Sequence, residues 1–370
     1  MKHRISIWPA ALLALFVAGC KQPTDPAFSP DGQTLVFEEN GKLILRSSEG
    51  DRTISMDVEG SVCWAPDGSK FAFSRNGGTT IYDFATGRAV GSSKYAFPYA
   101  WQGGMLTGVK AFGDHPEATI YRVSPDSAEP HLEVTVPFHP DRIDPIENGD
   151  SLLWVGPKAY WFDGLQPAQL PQLYGYSLTP PQRIDYGWLL AKAYAAPHTH
   201  RQLVGLALWT GDPAGKLEPV DRIDVGASTG LGEHIVLVQD LKISAPTGRM
   251  VATILTLQGR PSDEQSLASM VDRYDLLNNL DKEPAMPKKD SDRLDQLVKR
   301  LSLTRIVFAG VKGGKWVEMD RAVEPPLKKS NEKTLQLRIP RKLQTGMTAD
   351  GTRIAITNDE GTKTYPFPNG

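Results

Sequence analysis

The sequence has only two cysteines in 370 residues, Cys20 and Cys63, and it lacks an excess of positive charge. The formal net charge is −2 at pH 7, whereas proteins that bind nucleic acid through its phosphates concentrate lysine and arginine on one face. Two cysteines allow at most one disulfide, and none if one of them is modified. We therefore expect a protein that is held together by core burial and does not bind nucleic acid.

Long apolar runs are also missing, apart from a short one near the start. Lys2 and Arg4 introduce an apolar stretch over residues 5–17. A membrane-spanning helix needs about 20 apolar residues, so this stretch is too short to span a bilayer. Its charged start and small-residue end are typical of a secretory signal peptide. We expect residues 1–19 to be absent from the mature protein.

The end of this stretch resembles the lipobox of bacterial lipoproteins. Val17, Ala18 and Gly19 stand directly before Cys20, as a branched apolar residue and two small residues stand before the cysteine that receives the lipid. The resemblance implies that Cys20 carries palmitate-type acyl chains and that residues 20–25 form a short tether. Acyl chains contribute about 0.8 kcal/mol of membrane affinity per buried methylene, so the membrane is the first expected partner.

The residue after the lipidated cysteine bears on the compartment. In Gram-negative lipoproteins an aspartate at that position signals retention at the inner membrane, and here the residue is Lys21. The resemblance therefore implies the periplasmic face of the outer membrane, with the inner membrane as the alternative. An ordinary secretory peptide that ends near a cysteine by coincidence is the competing interpretation of the whole segment.

A turn motif recurs through the remaining chain. Ser29-Pro30-Asp31-Gly32 precedes a strand-like segment, and Ala65-Pro66-Asp67-Gly68 does the same 36 residues later. Proline presets a turn, aspartate accepts hydrogen bonds from its own backbone, and glycine takes the positive φ of a tight hairpin. Weaker copies contain the turn glycines Gly104, Gly149, Gly187 and Gly248, and the last copy, with Asp350 and Gly351, is again close to the consensus.

These repeats predict an all-β fold. Each copy indicates strand, turn, strand, and the spacing leaves room for two further strands before the next copy. A four-stranded sheet cannot cover both of its faces, so sheets repeated at about 40 residues pack radially as the blades of a β-propeller. We expect about seven four-stranded blades over residues 26–370, although six or eight would also fit. A β-sandwich punctuated by similar turns is the alternative.

The repeat resembles that of TolB-type propellers, whose consensus is an aromatic residue, Ser-Pro-Asp-Gly and an alternating apolar strand. The resemblance is strong over residues 26–90 and 344–366 and only topological between them. TolB itself has an α/β domain before its propeller, and here the first turn follows Cys20 by about ten residues. The resemblance therefore concerns the repeat and not the individual protein.

The strand pattern stops between Pro261 and Thr304. Ser262 and Gln265 have the spacing of a capping box, and apolar residues at helical spacing follow, including Leu267 and Tyr274. A second helix is predicted to start near residues 290–291. We expect residues 262–303 to form a helical hairpin inserted into the propeller. Its apolar faces pack on each other or on the propeller rim, or they form a docking site for another envelope protein.

Candidate partner-binding residues are Leu267 and Tyr274 on the first predicted helix and Trp161 in an aromatic segment. Aromatic side chains are enriched at protein interfaces, but they also fill the seams between blades, which is the expected role of most of them. Two histidines at residues 198 and 200 lack further ligands for a metal. Ser228 is followed by a strand-like segment where a nucleophile elbow requires a helix.

The sequence thus predicts no catalytic residue, metal or cofactor. Its leading hypothesis is a non-enzymatic, lipid-anchored scaffold that binds a protein of the cell envelope. The alternative is an enzyme or small-ligand receptor whose site lies in the funnel of the propeller, assembled from loops of several blades.

Overall fold

The computed structural model describes residues 25–367, with gaps at 40, 57, 76–77, 94–97, 103, 112–116, 126–129, 196–200, 225–234, 258–259, 275–285, 313–314, 324–343 and 359–360. Within these residues the chain forms six antiparallel sheets of four strands and one of three strands. Each sheet uses consecutive strands and is called a blade, numbered 1 to 7 in chain order. The lipidation motif around Cys20 lies outside the described residues.

The first four blades are sheets of short, mostly five- to seven-residue strands. Blade 1 contains Ala27–Phe28 (β1), Leu35–Glu39 (β2), Lys42–Ser47 (β3) and Gly50–Met56 (β4). Blade 2 contains Val58–Trp64 (β5), Lys70–Arg75 (β6), Gly78–Asp83 (β7) and Arg88–Ser93 (β8). Blade 3 contains Pro98–Gln102 (β9), Met105–Ala111 (β10), Ala118–Val123 (β11) and Pro130–Val136 (β12). Blade 4 contains Arg142–Pro145 (β13), Ser151–Val155 (β14), Lys158–Phe162 (β15) and Pro167–Gln169 (β16).

The remaining blades include the longest strands. Blade 5 contains Gln182–Ile184 (β17), Gly187–Ala195 (β18), Gln202–Trp209 (β19) and Leu217–Ile223 (β20). Blade 6 contains Ile235–Ser244 (β21), Arg249–Leu257 (β22), Ser302–Lys312 (β23) and Lys315–Val323 (β24). Blade 7 contains Gln344–Met347 (β25), Arg353–Asn358 (β26) and Gly361–Pro366 (β27).

The prediction of seven four-stranded blades needs a correction, because six sheets have four strands and blade 7 has three described strands. The turn motif marks the hairpin between the first and second strands of a blade. It therefore gives no information about how many outer strands follow that hairpin. In the described part of the chain, β27 pairs with β26 on one edge only.

Two-sided burial explains the runs of consecutive buried apolar residues in second strands, such as residues 35–37 on β2 and 71–73 on β6. On β6, Phe71 and Phe73 pack with Val36 and Leu43 of blade 1. The intervening Ala72 packs in the opposite direction, in a cluster with Trp101 and Leu106 of blade 3. Because side chains alternate along a strand, one strand contributes to the cores on both sides of its blade. The hydrophobic core is therefore a series of seams between adjacent blades.

Blade 7 closes the ring against blade 1. The guanidinium of Arg46 on β3 donates to the carbonyl of Thr362 on β27 at 2.8 Å. Leu35 and Phe37 of blade 1 share a buried cluster with Ala355 of blade 7. On its other side, blade 7 accepts a hydrogen bond from Ser244 of blade 6 at the carbonyl of Ala349. The chain is a β-propeller.

Two α-helices lie between β22 and β23, at Pro261–Arg273 (α1) and Lys288–Leu301 (α2). The predicted capping box is wrong, because the cap lies two residues before Ser262: Arg260 occupies the cap position without a side-chain hydrogen bond, and Pro261 takes the first turn. Proline is favoured there because the first helical N–H groups have no intrahelical partner. The second helix begins at Lys288, before the predicted start.

The two faces of the propeller follow from strand order. Strand direction alternates within each blade, so the turns between first and second strands and between third and fourth strands lie on one side, which we call the turn face. The opposite side, which we call the start face, is where each first strand begins. Asp25 leads into β1 from the start face, and both helices join second and third strands on that same face.

Candidate functional site

The repeat turns form the turn face, and their geometry is local. The Oδ1 atoms of Asp31, Asp67 and Asp350 each accept the backbone N–H two residues later at 3.0 Å. The glycines of the repeat have positive φ values, at Gly32, Gly68, Gly104, Gly149, Gly187, Gly248 and Gly351. In each full copy the aspartate accepts a backbone N–H of its own turn and the glycine adopts the positive φ that the turn requires. These residues therefore have a structural role.

These hydrogen bonds also set the charge state of the turn carboxylates. The hydroxyl of Ser29 and then the backbone N–H of Gln33 lower the pKa of Asp31. The backbone N–H and the hydroxyl of Ser69 lower the pKa of Asp67 in the same way. A lowered pKa means stabilisation that is present above the ordinary value and is lost as the pH falls through the lowered one. At neutral pH these carboxylates are therefore ionised and contribute this stabilisation.

Two tryptophans that precede the turns have a role that the sequence did not reveal. The indole N–H of Trp64 donates to the carbonyl of Ala27 at 3.1 Å, and that of Trp101 donates to the carbonyl of Cys63 at 2.9 Å. Each bond joins the innermost strand of one blade to that of the preceding blade. The recurring aromatic position of the repeat was the available signal, but its acceptor lies about 37 residues upstream.

Near the axis, a charged network joins blades 6, 7 and 1. Lys242 on β21 lies 3.4 Å from Oδ2 of Asp240 and 3.4 Å from Oδ2 of Asp25, and the hydroxyl of Thr345 on β25 donates to Asp240. Burial disfavours the charged ammonium, but the two carboxylates outweigh it and raise the pKa of Lys242. Lys242 therefore stays protonated at neutral pH. Its ion pairs and the Thr345 hydrogen bond connect blade 6 with the start of blade 1 and with the inner strand of blade 7.

A buried carboxylate, that of Asp144, belongs to the seam between blades 4 and 5. Oδ2 of Asp144 accepts hydrogen bonds from Arg142 at 2.8 Å and from the indole of Trp154 at 2.7 Å. Burial raises the pKa of Asp144, while Arg142 and Trp154 oppose that shift. Arg142 also donates to the carbonyls of Ser177 and Thr179, which precede blade 5. This acid is thus held by the contacts that connect two blades.

The helices use their apolar faces internally, which corrects the expected role of Leu267. That side chain is 1% exposed and lies with Met270, Val271, Leu294 and Leu297 among the buried residues. The α2 helix also contacts β22. A buried leucine cannot present its side chain to a partner, so the described helices offer a polar outer surface.

Tyr274 is also committed to contacts between the helices. Its hydroxyl donates to Oδ2 of Asp290 at 2.5 Å, and Arg273 lies 3.7 Å from the same oxygen. The hydrogen bond to Asp290 is the main factor that raises the pKa of Tyr274. This residue therefore joins α1 to α2, and its predicted partner contact would have to displace that bond.

In the aromatic segment, residues 154–188, some side chains fill a seam between blades and others are exposed at the surface. The ring of Trp161 lies edge-on to Trp209 of blade 5, with 6.1 Å between ring centroids, so the predicted partner-binding Trp161 fills the seam between blades 4 and 5. Two other apolar side chains reach solvent: Leu165 is 73% exposed and Tyr186 is 85% exposed. Leu165 follows β15 and Tyr186 follows β17, which places both on the turn face of adjacent blades.

Contacts beneath Tyr186 fix the position of its turn. Arg183 pairs with Glu147 of blade 4 at 2.6 Å and also donates to the carbonyl of Gly187. The guanidinium of Arg183 stacks over Trp188 at 5.6 Å from the ring centroid. The ion pair of Arg183 with Glu147 thereby connects the turn of blade 5 to the turn of blade 4, and the contacts of Arg183 with Gly187 and Trp188 order the backbone on either side of Tyr186.

The remaining sequence candidates are Cys63, two histidines and a serine. Burial raises the pKa of the Cys63 thiol to about 12, so this cysteine stays protonated at neutral pH and is a poor nucleophile. Residues 198, 200 and 228 lie outside the described residues. In the described ranges, no three side chains of His, Cys, Asp or Glu are arranged to hold a metal ion. None of the described helices is both long and apolar enough to span a membrane.

No protein-family model and no curated protein sequence matches this chain. Solved structures do match it. An oligogalacturonate lyase in complex with manganese is 11% identical with a TM-score of 0.54, over 93% of this chain and 89% of that one. The extracellular domain of a one-component system from B. thetaiotaomicron is 10% identical with a TM-score of 0.50, over 95% and 41%. At these identities the likeness concerns the fold alone.

Proposed function

We propose that this chain is a lipoprotein with TolB-type repeats, anchored through Cys20 to the periplasmic face of the outer membrane, and that its propeller binds another envelope protein without catalysis. The main support for the proposal is that the N-terminal end of the propeller and its most exposed apolar side chains lie on opposite faces. Asp25, the residue that leads into β1, lies at the start face. Among the described residues, the two most exposed large apolar side chains, Leu165 and Tyr186, stand on the turn face.

This segregation supports a defined orientation. Asp25 lies five positions after Cys20, and an extended chain covers at most about 3.6 Å per residue. A lipid on Cys20 would therefore hold the start face within about 20 Å of the bilayer surface. The turn face would then point away from the membrane, where a partner in the periplasm has access to it.

The apolar side chains of the turn face support a protein partner. Hot spots of protein interfaces are enriched in tyrosine, and they are surrounded by polar groups that exclude water. Tyr186 has that setting, since the Arg183–Glu147 ion pair lies beside its turn. Phe84, in a turn of blade 2, is a third exposed apolar side chain on the same face. We assign the partner contact to the turn face between blades 4 and 5.

Replacing Cys20 by serine tests the anchor. The variant cannot be acylated, so we expect the protein to move from the membrane fraction to the soluble periplasmic fraction, since two acyl chains are what make such anchoring stable. The measurement is fractionation of the envelope followed by immunoblotting. Cys63→Ser is the matched control and should remain with the membrane. Unchanged membrane association of the Cys20→Ser chain would contradict the anchor.

Replacing Leu165 and Tyr186 by serine tests the contact surface. The probe is a photo-crosslinking amino acid in place of Asp185, which is exposed and directly precedes Tyr186. We expect one discrete crosslinked partner, and each serine substitution should weaken its binding by about tenfold, the usual scale for an interface anchor. Val220→Ser, on an outer strand and 52% exposed, is the control. Equal crosslinking by all variants would remove the turn face from the proposal.

A further inference from the structure

A cationic cluster lies on the side of blade 5 that faces blade 4. Lys192 and Tyr194 are alternate residues of β18, so their side chains lie on one side of the sheet. Lys192 pairs with Gly205 on β19, and Gly205 pairs with Arg222 on β20. Leu190, two residues before Lys192, packs in the cluster shared with blade 4. The register therefore brings Lys192 and Arg222 to the seam between the two blades.

Gly205 makes room for the ring of Tyr194, which both cations approach. A Cβ atom at this glycine would lie 2.9 Å from Cε1 of Tyr194. Lys192 Nζ is 4.6 Å from the centroid of the Tyr176 ring and 5.9 Å from that of Tyr194. The guanidinium of Arg222 is 5.9 Å from the Tyr194 centroid. Lys192 and Arg222 therefore both lie within 6 Å of the Tyr194 ring centroid.

Neighbouring carboxylates do not neutralise the positive charge of this cluster. In the described part of the chain, neither Lys192 nor Arg222 forms an ion pair. The carboxylate of Asp224 pairs with Arg201 at 3.6 Å, and that of Asp221 accepts the backbone N–H of Arg222. Burial and then the repulsion of Arg222 lower the pKa of Lys192. An anion placed between the two cations would relieve this repulsion.

The hydroxyl of Tyr194 also needs a partner. Its oxygen is buried and has no hydrogen-bond partner among the described residues. A buried polar atom without a partner is costly, so such atoms in native proteins call for an explanation. Tyr194 lies one residue before the end of β18, which runs towards the start face. The unsatisfied hydroxyl and both cations therefore lie near the same end of one seam.

We propose that this seam binds a phosphate group through Lys192, Arg222 and the hydroxyl of Tyr194. A phosphate has enough oxygen atoms to accept from three donors that approach from different directions, and donors of this kind are common in phosphate recognition. The phosphate could belong to a lipid headgroup or to a soluble ligand. The lipid source rests on the proposed function, since only an anchored chain holds its start face against a membrane; the phosphate site itself does not.

Two binding measurements on the full chain carrying Cys20→Ser distinguish these sources. The first is calorimetric titration with inorganic phosphate at pH 7, with sodium chloride as the reference at equal ionic strength. The second is sedimentation with vesicles of phosphatidylcholine, with and without phosphatidylglycerol. Lys192→Gln and Arg222→Gln should each weaken phosphate or phosphatidylglycerol binding by about tenfold or more. Lys42→Gln removes an exposed charge of the same face in blade 1 and should have no such effect.

Tyr194→Phe separates binding from folding. It should weaken phosphate binding severalfold, while the thermal midpoint stays equal or rises because an unsatisfied hydroxyl is removed. Binding of inorganic phosphate supports a soluble ligand, and binding only to phosphatidylglycerol vesicles supports a headgroup. Absence of both, or equal binding by the Lys192 and Arg222 variants and the parent chain, would overturn the site. The anchor is judged separately, by fractionation of Cys20→Ser and Cys63→Ser.

Discussion

Replacing Trp101 by alanine should lower the free energy of unfolding by about 3–5 kcal/mol, the range for truncating a buried tryptophan. Trp101 is 6% exposed and packs with Leu106 and Tyr121 of its own blade and with Ala72 and Ile81 of blade 2. The substitution leaves a cavity in that seam and removes the donor to the carbonyl of Cys63. Urea denaturation followed by circular dichroism measures the loss.

Trp101→Phe separates the hydrogen bond from the packing. Phenylalanine keeps most of the aromatic volume but leaves the carbonyl of Cys63 without its indole donor, so we expect a loss of about 1–1.5 kcal/mol. Trp64→Phe should cost a similar amount, because its indole makes the equivalent bond to Ala27. If Trp101→Ala costs no more than Trp101→Phe, the buried seam is not what the tryptophan stabilises.

Replacing Gly346 by alanine should open the seam where the ring closes. Gly346 lies on β25, and an added Cβ atom would collide with the backbone carbonyl of Pro26, which leads into blade 1. A backbone atom cannot rotate away as a side chain can, so the strands must separate. We expect a loss of about 3 kcal/mol in the free energy of unfolding, the upper part of the usual range for overpacking.

Gly104→Ala is the control for that collision. Gly104 has a φ of 77°, so alanine is strained there by about 1 kcal/mol, but the added methyl meets nothing within 4 Å. The difference between the two variants therefore measures crowding at the closing seam. Urea denaturation of both proteins in parallel gives that difference. Equal losses would mean that the contact between blades 7 and 1 yields without cost.

Some features of the fold follow from residues close together in sequence. The Asp31 and Gly32 turn is completed by hydrogen bonds that reach no further than Thr34, so the motif was sufficient to predict it. The register of the repeat likewise indicated consecutive hairpins. The start of α1 was predicted wrongly although it is local, because Ser262 was taken as the cap and the preference of Pro261 for the first turn was not weighed.

Features that join distant residues could not be predicted in this way. Leu267 has the same helical spacing whether it faces α2 or a partner, and its burial depends on the position of α2. The alternating pattern of β18 does not show that Lys192 meets Arg222, since 30 residues separate them and the pairing through Gly205 sets the contact. Trp161 likewise gains its role only from the approach of Trp209.

The amino-acid sequence by itself determined the repeating hairpins, their tight turns and the all-β class, because each of these depends on backbone preferences and hydrogen bonds within a few residues. Tertiary structure alone decided which carboxylates meet Lys242, which indole crosses to the neighbouring blade and which apolar side chains stay in solvent. Those outcomes depend on how separate sheets pack, and that packing is set by the contacts between all adjacent blades together.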